Sequence, residues 1–486
     1  MKSKKKPNIC SSDSTFNECE LEILHKAIAE AEVKQKKNTT NLPEINKIMS
    51  IVEDFIRKKK LILYGGTAQN NILPKKDQFY DDSDVPDYDF FSPNAIQDVK
   101  ELADLYSKAG YIEVDAKSGI HAGTYKLFVN FIPTADVTQM PREIFNTLQR
   151  DALKIAGITY APPNFLRMGM YLELSRPNGD ISRWEKVYKR LILINQNYPL
   201  TTKDCSRIDF QRAMMDTKIS SKSKYQPTTE EIYDTAVKTF IDQDVVFFGG
   251  YAISKYSQYM PHYIRQKLHK IPDFDILTED AVKTADIAKE RLEDIGCKNV
   301  SIHRFDNIGE IVSGHYELRV GKDTVAFIYQ PTACHSYNVL RENGNEIRIA
   351  TIDTMLSYYL AFLYADKDYY DVNRLLCMAK YIFDVQSKNR LSQKGLLKRF
   401  SISCIGKQET LEEIRAHKSE MYKKLANKQG SEEYEKWFFK YRPVDKKSNI
   451  KKDDTMSKSP NKTKKNKTKK NKTKKNKKNN IFRIFD

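Results

Sequence analysis

The sequence predicts an α+β protein built from two tandem copies of one unit. Each copy is a small mixed sheet with flanking helices and a helical hairpin. A helical N-terminal region precedes them and a disordered Lys-rich tail follows. Three observations predict this. Short apolar runs end in glycine pairs, Leu61-Ile62-Leu63-Tyr64 before Gly65-Gly66 and residues 245–248 before Gly249-Gly250, and stretches of helical periodicity lie between them. Four motifs recur in the same order in both halves. Finally, residues 446–480 hold sixteen Lys and two Asp, a net +14 of the chain's +18, so the folded body is close to charge balance.

The repeats set the boundaries. Pro272-Asp273-Phe274-Asp275-Ile276 echoes Pro86-Asp87-Tyr88-Asp89-Phe90, and Gly249-Gly250-Tyr251-Ala252 echoes Gly65-Gly66-Thr67-Ala68. Pro331-Thr332-Ala333-Cys334 echoes Pro133-Thr134-Ala135-Asp136, and Asp371-Val372-Asn373-Arg374 echoes Asp180-Ile181-Ser182-Arg183. The expected domains are residues 1–42, a partly helical segment; 43–205, the first unit; 225–442, a degenerate second unit; and 443–486, the tail. The tail repeats Asn-Lys-Thr-Lys-Lys three times and has too few apolar residues for a core.

Along the first half, residues 17–37 read as a charged helix with Leu21, Leu24, Ile28 and Ala31 on one face. Pro43 suits the first position of the next helix, whose apolar face is Ile48, Ile51 and Phe55. Residues 61–64 form a strand, Thr67 begins a short helix, and 75–86 is a polar loop. Residues 87–91 are a strand and 95–109 a helix, followed by strands near 111–115, 124–131 and 135–138. From 164 to 198 the spacing turns helical, with Leu166, Met170 and Leu174, then Trp184, Val187, Leu191 and Ile194. Tyr434, Trp437, Phe438, Phe439 and Tyr441 form a last aromatic cluster, either interface or core.

Composition narrows the function classes. The 486 residues, 40% apolar and 11% aromatic, suffice for packed cores. No run of eighteen apolar residues appears, so no membrane span is expected. The N-terminal Met-Lys-Ser-Lys-Lys-Lys lacks the apolar stretch of a secretory signal. Seven scattered cysteines without a Cys-x-x-Cys pair indicate neither a zinc site nor a disulfide framework, and suggest a reducing compartment. His121, His303, His315 and His335 lack metal-ligand spacing and read as core or surface residues.

Asp87 and Asp89, two apart on a strand, point to one face. Neighbouring carboxylates repel unless a cation lies between them, and Mg²⁺ takes such oxygen ligands together with substrate phosphates. Gly65-Gly66 lets phosphate oxygens approach the backbone, and Thr67 adds a hydroxyl. Alone, a glycine pair is a tight turn and an Asp-x-Asp a solvated strand end. The order strand, Gly-Gly-Thr, loop, Asp-x-Asp strand makes them specific.

These residues resemble the DNA polymerase β-like nucleotidyltransferases. More narrowly, residues 64–199 resemble the poly(A) polymerase catalytic subunits of poxviruses and other large DNA viruses, giant viruses especially. The resemblance rests on Tyr64-Gly65-Gly66-Thr67-Ala68, Pro86-Asp87-Tyr88-Asp89-Phe90-Phe91, Val129-Asn130-Phe131-Ile132-Pro133, Ala135-Asp136-Val137-Thr138 and the run from Tyr171-Leu172-Glu173 through Trp184-Glu185-Lys186. It covers roughly residues 40–440 and excludes the tail. It implies two tandem nucleotidyltransferase-like units, ATP as donor, an RNA 3′-hydroxyl as nucleophile, and Mg²⁺ or Mn²⁺ held by Asp87 and Asp89. Asp136 is the choice for third carboxylate, ahead of Asn130. It implies a viral protein of the host cytoplasm or virion, with the nucleus left open by the Lys-rich tail. Poxvirus relatives use a separate processivity subunit; such a partner and a homodimer both stay open here.

In the second copy Asp136 corresponds to Cys334, Thr67 to Tyr251, and Glu173, Ser175 and Lys186 to Ala361, Leu363 and Cys377. Groups lost there are expected to serve the nucleotide in the first copy, Lys186 foremost, then Glu173 and Ser175. Asp180 and Arg183, kept as Asp371 and Arg374, are expected to be a structural Asp–Arg pair at a helix start. The second copy is expected to be inert. Basic clusters at residues 57–60, 183–190 and 265–270, with the tail, are available to an RNA backbone. Two other readings keep part of this pattern: a transferase acting on a small-molecule acceptor, and a non-enzymatic RNA-binding scaffold.

Overall fold

A computed structural model describes residues 15–40, 43–80, 84–202, 205–209, 211–212, 227–268 and 271–443. The polar start and the tail expected to be disordered (from residue 444) lie outside the described residues. α1 (Phe16–Thr40) leaves the expected apolar face, Leu21, Leu24 and Ile28, exposed. α2 (Pro43–Lys59) turns Ile45, Ile48, Met49, Val52, Phe55 and Ile56 inward. Its last-turn Arg57, Lys58 and Lys59 complement the helix dipole.

The first unit continues through β1 (Ile62–Tyr64), α3 (Gly65–Asn71), β2 (Tyr88–Ser92), α4 (Ala95–Lys108), β3 (Val114–Ser118), β4 (Thr124–Val129) and β5 (Ile132–Gln139). It ends with α5 (Arg142–Asp151), β6 (Leu153–Ile155), β7 (Ile158–Tyr160) and the hairpin of α6 (Pro163–Leu174) and α7 (Trp184–Asn197). The sequence pattern does not predict α5 or the β6–β7 hairpin. Those strands are too short to show a period, and their turn at Ala156-Gly157 is made by positive φ values of 50° and 79°.

The second unit comprises α8 (Thr229–Asp242), β8 (Val246–Phe247), α9 (Gly250–Tyr256), α10 (His262–Arg265), β9 (Phe274–Leu277) and α11 (Ala281–Asp294). Next come β10 (Val300–Phe305), β11 (His315–Val320), β12 (Asp323–Tyr329), β13 (His335–Glu342) and β14 (Asn345–Ala350). The hairpin of α12 (Ile352–Phe362) and α13 (Val372–Lys388) follows, then β15 (Cys404–Ile405), α14 (Leu411–Leu425), α15 (Glu432–Phe438) and β16 (Lys440–Tyr441).

Strand order establishes the duplication. The first sheet runs β16-β3-β4-β5-β2-β1-β7-β6 and the second β10-β11-β12-β9-β8-β14-β13-β15. Without the two added edge strands the orders coincide strand for strand. The senses match too: β2 and β5, like β9 and β12, are parallel, whereas β1 and β2, like β8 and β9, are antiparallel. The edge strand β16 returns the chain to the first sheet by pairing with β3. There Phe439 is buried edge-on to Tyr125, and the Tyr441 hydroxyl donates to Asp104 at 2.7 Å. The aromatic cluster thus packs the end of the second unit onto the first.

Two sequence expectations are corrected. The Pro-Thr-Ala echo is out of register: β12 is the partner of β9, so the residue across from Asp275 is Phe327 and not Cys334. A three-residue match carries less information than strand pairing. The cysteines also do not remain apart. Cys205 bonds to Cys377 and Cys334 to Cys404, across 172 and 70 residues of sequence. Local spacing carries no signal for such long-range pairs, so it could not support the reducing-compartment reading.

Candidate active site

The candidate carboxylates are brought together by two crossings of the chain at the sheet centre. Tyr64 pairs with Asp89 across β1 and β2, and Asp89 pairs with Asp136 across the parallel β2 and β5. Asp87 stands just before β2, two residues from Asp89 and so on the same face. Asn130, the rejected alternative, sits instead in the β4–β5 turn at φ 50°, with its amide donating to Glu44. The glycine pair is required sterically. Gly65 has φ +72°, and a Cβ there would collide with the Asp89 carboxylate. One on Gly66 would strike the Tyr80 hydroxyl. The turn therefore lets the backbone of α3 lie directly against the carboxylate. Thr67 is buried and its hydroxyl donates to the Asp87 carbonyl at 2.6 Å. Its bond ties the start of α3 to Asp87.

Burial, with the charges of Asp87 and Asp136, pushes the Asp89 carboxyl up to about 7. Asp87 is raised as well, by partial enclosure and then by Asp136, although its side chain reaches solvent. Lys126, across from Asp136 on β4, is ion-paired with it and opposes both shifts. Among the described residues no three His, Cys, Asp or Glu side chains are placed to hold a metal ion as they stand. The Lys126 ammonium supplies local positive charge, and the remaining repulsion is the condition that a divalent cation relieves.

That repulsion has a measurable sign. Unfolded, Asp89 releases its proton near 3.8; folded and metal-free, it holds the proton to about 7. The folded chain binds more protons between those values, so this contribution to stability is lost as pH rises through 7. A cation competes with that proton. Mg²⁺ or Mn²⁺ is expected to raise Tm by roughly 2 °C or more at pH 8, and by less at pH 5.5. Calorimetry on the wild type and on Asp89→Asn checks it. Equal shifts at both pH values, or a full shift in the variant, would remove Asp89 from the ion site.

Arg183, whose charge acts on Asp89, begins a cationic strip. Arg183, Lys186 and Arg190 share one face of the chain entering and forming α7. Arg190 donates to the Tyr80 hydroxyl at 2.9 Å and to Gln69 at 3.4 Å, and its guanidinium lies 4.4 Å from the Phe79 ring centroid. It also stands 3.1 Å from where a Gly66 Cβ would be. Arg190 is thereby placed at the glycine turn. Its signal was available as the i+4 neighbour of Lys186. Arg183 pairs with Glu173 at 3.2 Å and its charge favours ionised Asp89. Lys186 is exposed on the same strip.

The weaker nucleotide candidates fare differently. Glu173 is half-buried against Arg183. Ser175 is fully buried. Its hydroxyl donates to the Leu172 carbonyl at 2.9 Å, and its own carbonyl accepts from the Ser336 amide at 2.9 Å. It joins the two units and does not line the site. The expected Asp–Arg pair at each helix start is also corrected. Asp180 caps the Ser182 amide and Asp371 the Arg374 amide, while Arg183 turns to Glu173 and Arg374 to the Tyr369 carbonyl. Free amides at a helix start compete well for a short carboxylate.

The second unit repeats the cradle but fills it. A Cβ on Gly249 would collide with Asp275 as one on Gly65 would with Asp89. Arg212, from the stretch joining the units, sets Nε 2.6 Å from Asp273 and Nη2 3.1 Å from Asp275. Its carbonyl accepts from the Asp273 amide at 3.0 Å, and its guanidinium rests 4.6 Å from the Phe327 ring centroid. Gln211 donates to the Gly250 carbonyl at 2.7 Å. About 20 Å³ is left, room for a water and not for a nucleotide.

The first unit thus sets a glycine turn against an Asp-x-Asp strand, with a third carboxylate on the parallel neighbour, in the α+β fold of two tandem units that the sequence predicts. The fold is similar to the crystal structure of the Megavirus polyadenylate synthase, with a TM-score of 0.70 and 20% identity over 90% of this chain and 88% of that one.

The narrower likeness follows from sequence. Residues 50–180 match the family model described as poly(A) polymerase catalytic subunit. A protein of Acanthamoeba polyphaga mimivirus, described as a candidate poly(A) polymerase catalytic subunit, is 33% identical over 202 residues, which are 40% of this chain and 34% of the relative. A protein of African swine fever virus (strain Badajoz 1971 Vero-adapted) with the same description is 36% identical over 172 residues, 34% of this chain and 36% of the relative. The chain spans about a third of the length of these curated relatives. The first unit thus resembles the catalytic subunits of viral poly(A) polymerases, as its motifs implied. No helix among the described residues is long and apolar enough to cross a membrane.

Proposed function

We propose that the chain is a template-independent polynucleotide adenylyltransferase that adds AMP from ATP to RNA 3′ ends. The observation that carries this reading is the pairing of Asp89 with Asp136 beside Gly65-Gly66 in one unit, while the other has Phe327 and Arg212 at the corresponding places. Asp87 and Asp89, with Asp136, would hold Mg²⁺ or Mn²⁺, which when bound neutralises charge on the phosphates and lowers the pKa of the attacking hydroxyl. The chain's own groups do the rest. The backbone at Gly65-Gly66 admits the triphosphate, and Arg183, Lys186 and Arg190 offset its charge along one edge. Asp136, turned from Lys126, accepts the 3′-hydroxyl proton as that oxygen attacks the α-phosphorus and pyrophosphate leaves. Thr67 holds Asp87 in register.

Extension of a short labelled RNA tests the proposal, with each of the four nucleotides supplied separately and Mg²⁺ or Mn²⁺ present. The expected result is a homopolymeric tail with ATP and little or none with the others. RNA binding without extension under any condition would favour the scaffold reading, or a missing processivity subunit. Transfer to a small acceptor but not to RNA would favour the other transferase reading.

A further inference from the structure

A cleft of about 420 Å³ opens between the two units, within the range of small-molecule pockets. One wall continues the catalytic strands. Phe91 and Thr138 lie two residues beyond Asp89 and Asp136 on the same face, about 6.7 Å further along. Both are tied to the glycine turn through Tyr64, whose ring stacks on Phe91 at 3.9 Å and whose hydroxyl meets that of Thr138 at 2.9 Å. A nucleotide with its α-phosphate at the carboxylates can therefore reach the cleft with its base.

The opposite wall belongs to the second unit and carries the anomaly. His335, at the start of β13, is 1% exposed, and neither ring nitrogen has a hydrogen-bond partner. Ser313, in the loop before β11, is also buried with an unmatched hydroxyl. Both line the cleft beside Tyr358, with Glu310 in the same loop. Burial, aided by the charge of Arg176, pushes the His335 imidazole down to about 3. It is therefore neutral near pH 7 and offers one donor and one acceptor. Buried polar groups without partners are rare and costly, and they call for whatever completes them.

We propose that this cleft receives a nucleobase, and that His335 and Ser313 read its hydrogen-bonding edge between the aromatic faces of Phe91 and Tyr358. The inference rests on the adenylyltransferase reading and supplies its missing element, the choice of base. A carboxylate only accepts hydrogen bonds, so Glu310 favours an amino group. Adenine presents its 6-amino group beside a ring acceptor, where guanine presents a carbonyl oxygen. The occupant is the base of the incoming nucleotide or the terminal base of the RNA; the chemistry is shared, and the experiment separates the two.

The test uses the full chain with His335→Leu and, as a milder change, Ser313→Ala. Formycin 5′-triphosphate, a fluorescent isomer of ATP that keeps the amino group beside a ring acceptor and dims when its base stacks, reports cleft occupancy without RNA. The wild type is expected to quench it, and His335→Leu to weaken that binding at least tenfold. The same variant is expected to raise the KM for ATP and to lower the preference for ATP over GTP about tenfold. Its kcat should stay within about threefold, and its Tm should be unchanged or higher, because an unmatched buried polar group has gone. A merely structural histidine would not separate stability from selectivity in this way.

If the variants instead change which primer 3′ nucleotide is extended, and not which nucleotide is added, the cleft holds the RNA's terminal base. If both variants fold and match the wild type in probe binding, nucleotide choice and primer choice, the proposal is overturned while wild-type A-tailing still stands. If the wild type extends no RNA yet quenches the probe in a His335-dependent manner, the cleft stands and the RNA-extending reading falls.

Discussion

Asp89→Asn is expected to reduce RNA extension at least ~10³-fold in kcat, about 4 kcal/mol of transition-state stabilisation. RNA affinity should stay within about twofold, since the basic groups available to a phosphate backbone are untouched. The folded protein should be more stable near pH 8 in the absence of divalent ions. Asp89 is disfavoured as an anion, raised to about 7 by burial and by Asp87 and Asp136, and the amide removes that repulsion. Loss of turnover with a gain in stability distinguishes a group kept for chemistry from one kept for folding. The paired control is Asp275→Asn, which should leave extension near wild type. Equal losses in both variants would mean that the second unit takes part, and the assignment of the first site would fall.

How far the sequence could be read depended on the range of the interaction. The glycine turn, Asp87, Asp89 and Asp136 were legible because each motif is local and the fold only has to bring adjacent strands together. Register was less legible. Asp136 was placed through its motif, but its counterpart was misread as Cys334 because nothing local shows that β12 pairs with β9. Ser175 shows the converse error: lost in the second copy, it suggested a nucleotide contact, yet its bonds to Leu172 and Ser336 join the units. Arg190, His335 and Arg212 were missed for one reason. Each acquires its meaning from a partner, or from the lack of one, far away in the sequence: Gly66, the interunit cleft, and the second Asp pair.

Arg212→Ala is expected to have the largest effect on stability, a loss of about 3–5 kcal/mol with little change in the chemistry of the first site. Asp273 and Asp275 are nearly as buried as core residues, with 2% and 8% of their surface exposed. Burial opposes the charge on Arg212, but the two carboxylates outweigh it and hold the guanidinium above its usual range. Deleting it leaves two buried like charges facing each other without the guanidinium that bridges them. The destabilisation should therefore grow as pH rises, because Asp273, whose carboxyl burial pushes up, can relieve the repulsion by holding a proton only at lower pH. Replacing both Asp273 and Asp275 with Asn in the Arg212→Ala background should recover most of the loss, since the repulsion goes with the cation. Urea unfolding of the four combinations at pH 6 and pH 8 measures this coupling as a double-mutant cycle, with the Asp pair changed together. Millimolar Mn²⁺ should also stabilise Arg212→Ala more than the wild type, because the emptied cradle has the donors that the first unit offers an ion. A loss below about 1 kcal/mol, with no coupling to the Asp pair and no response to Mn²⁺, would show that Arg212 is not the fixed cation of the second unit. A large coupling would explain how a duplicated site can keep both aspartates and remain inert: its positive charge is part of the chain.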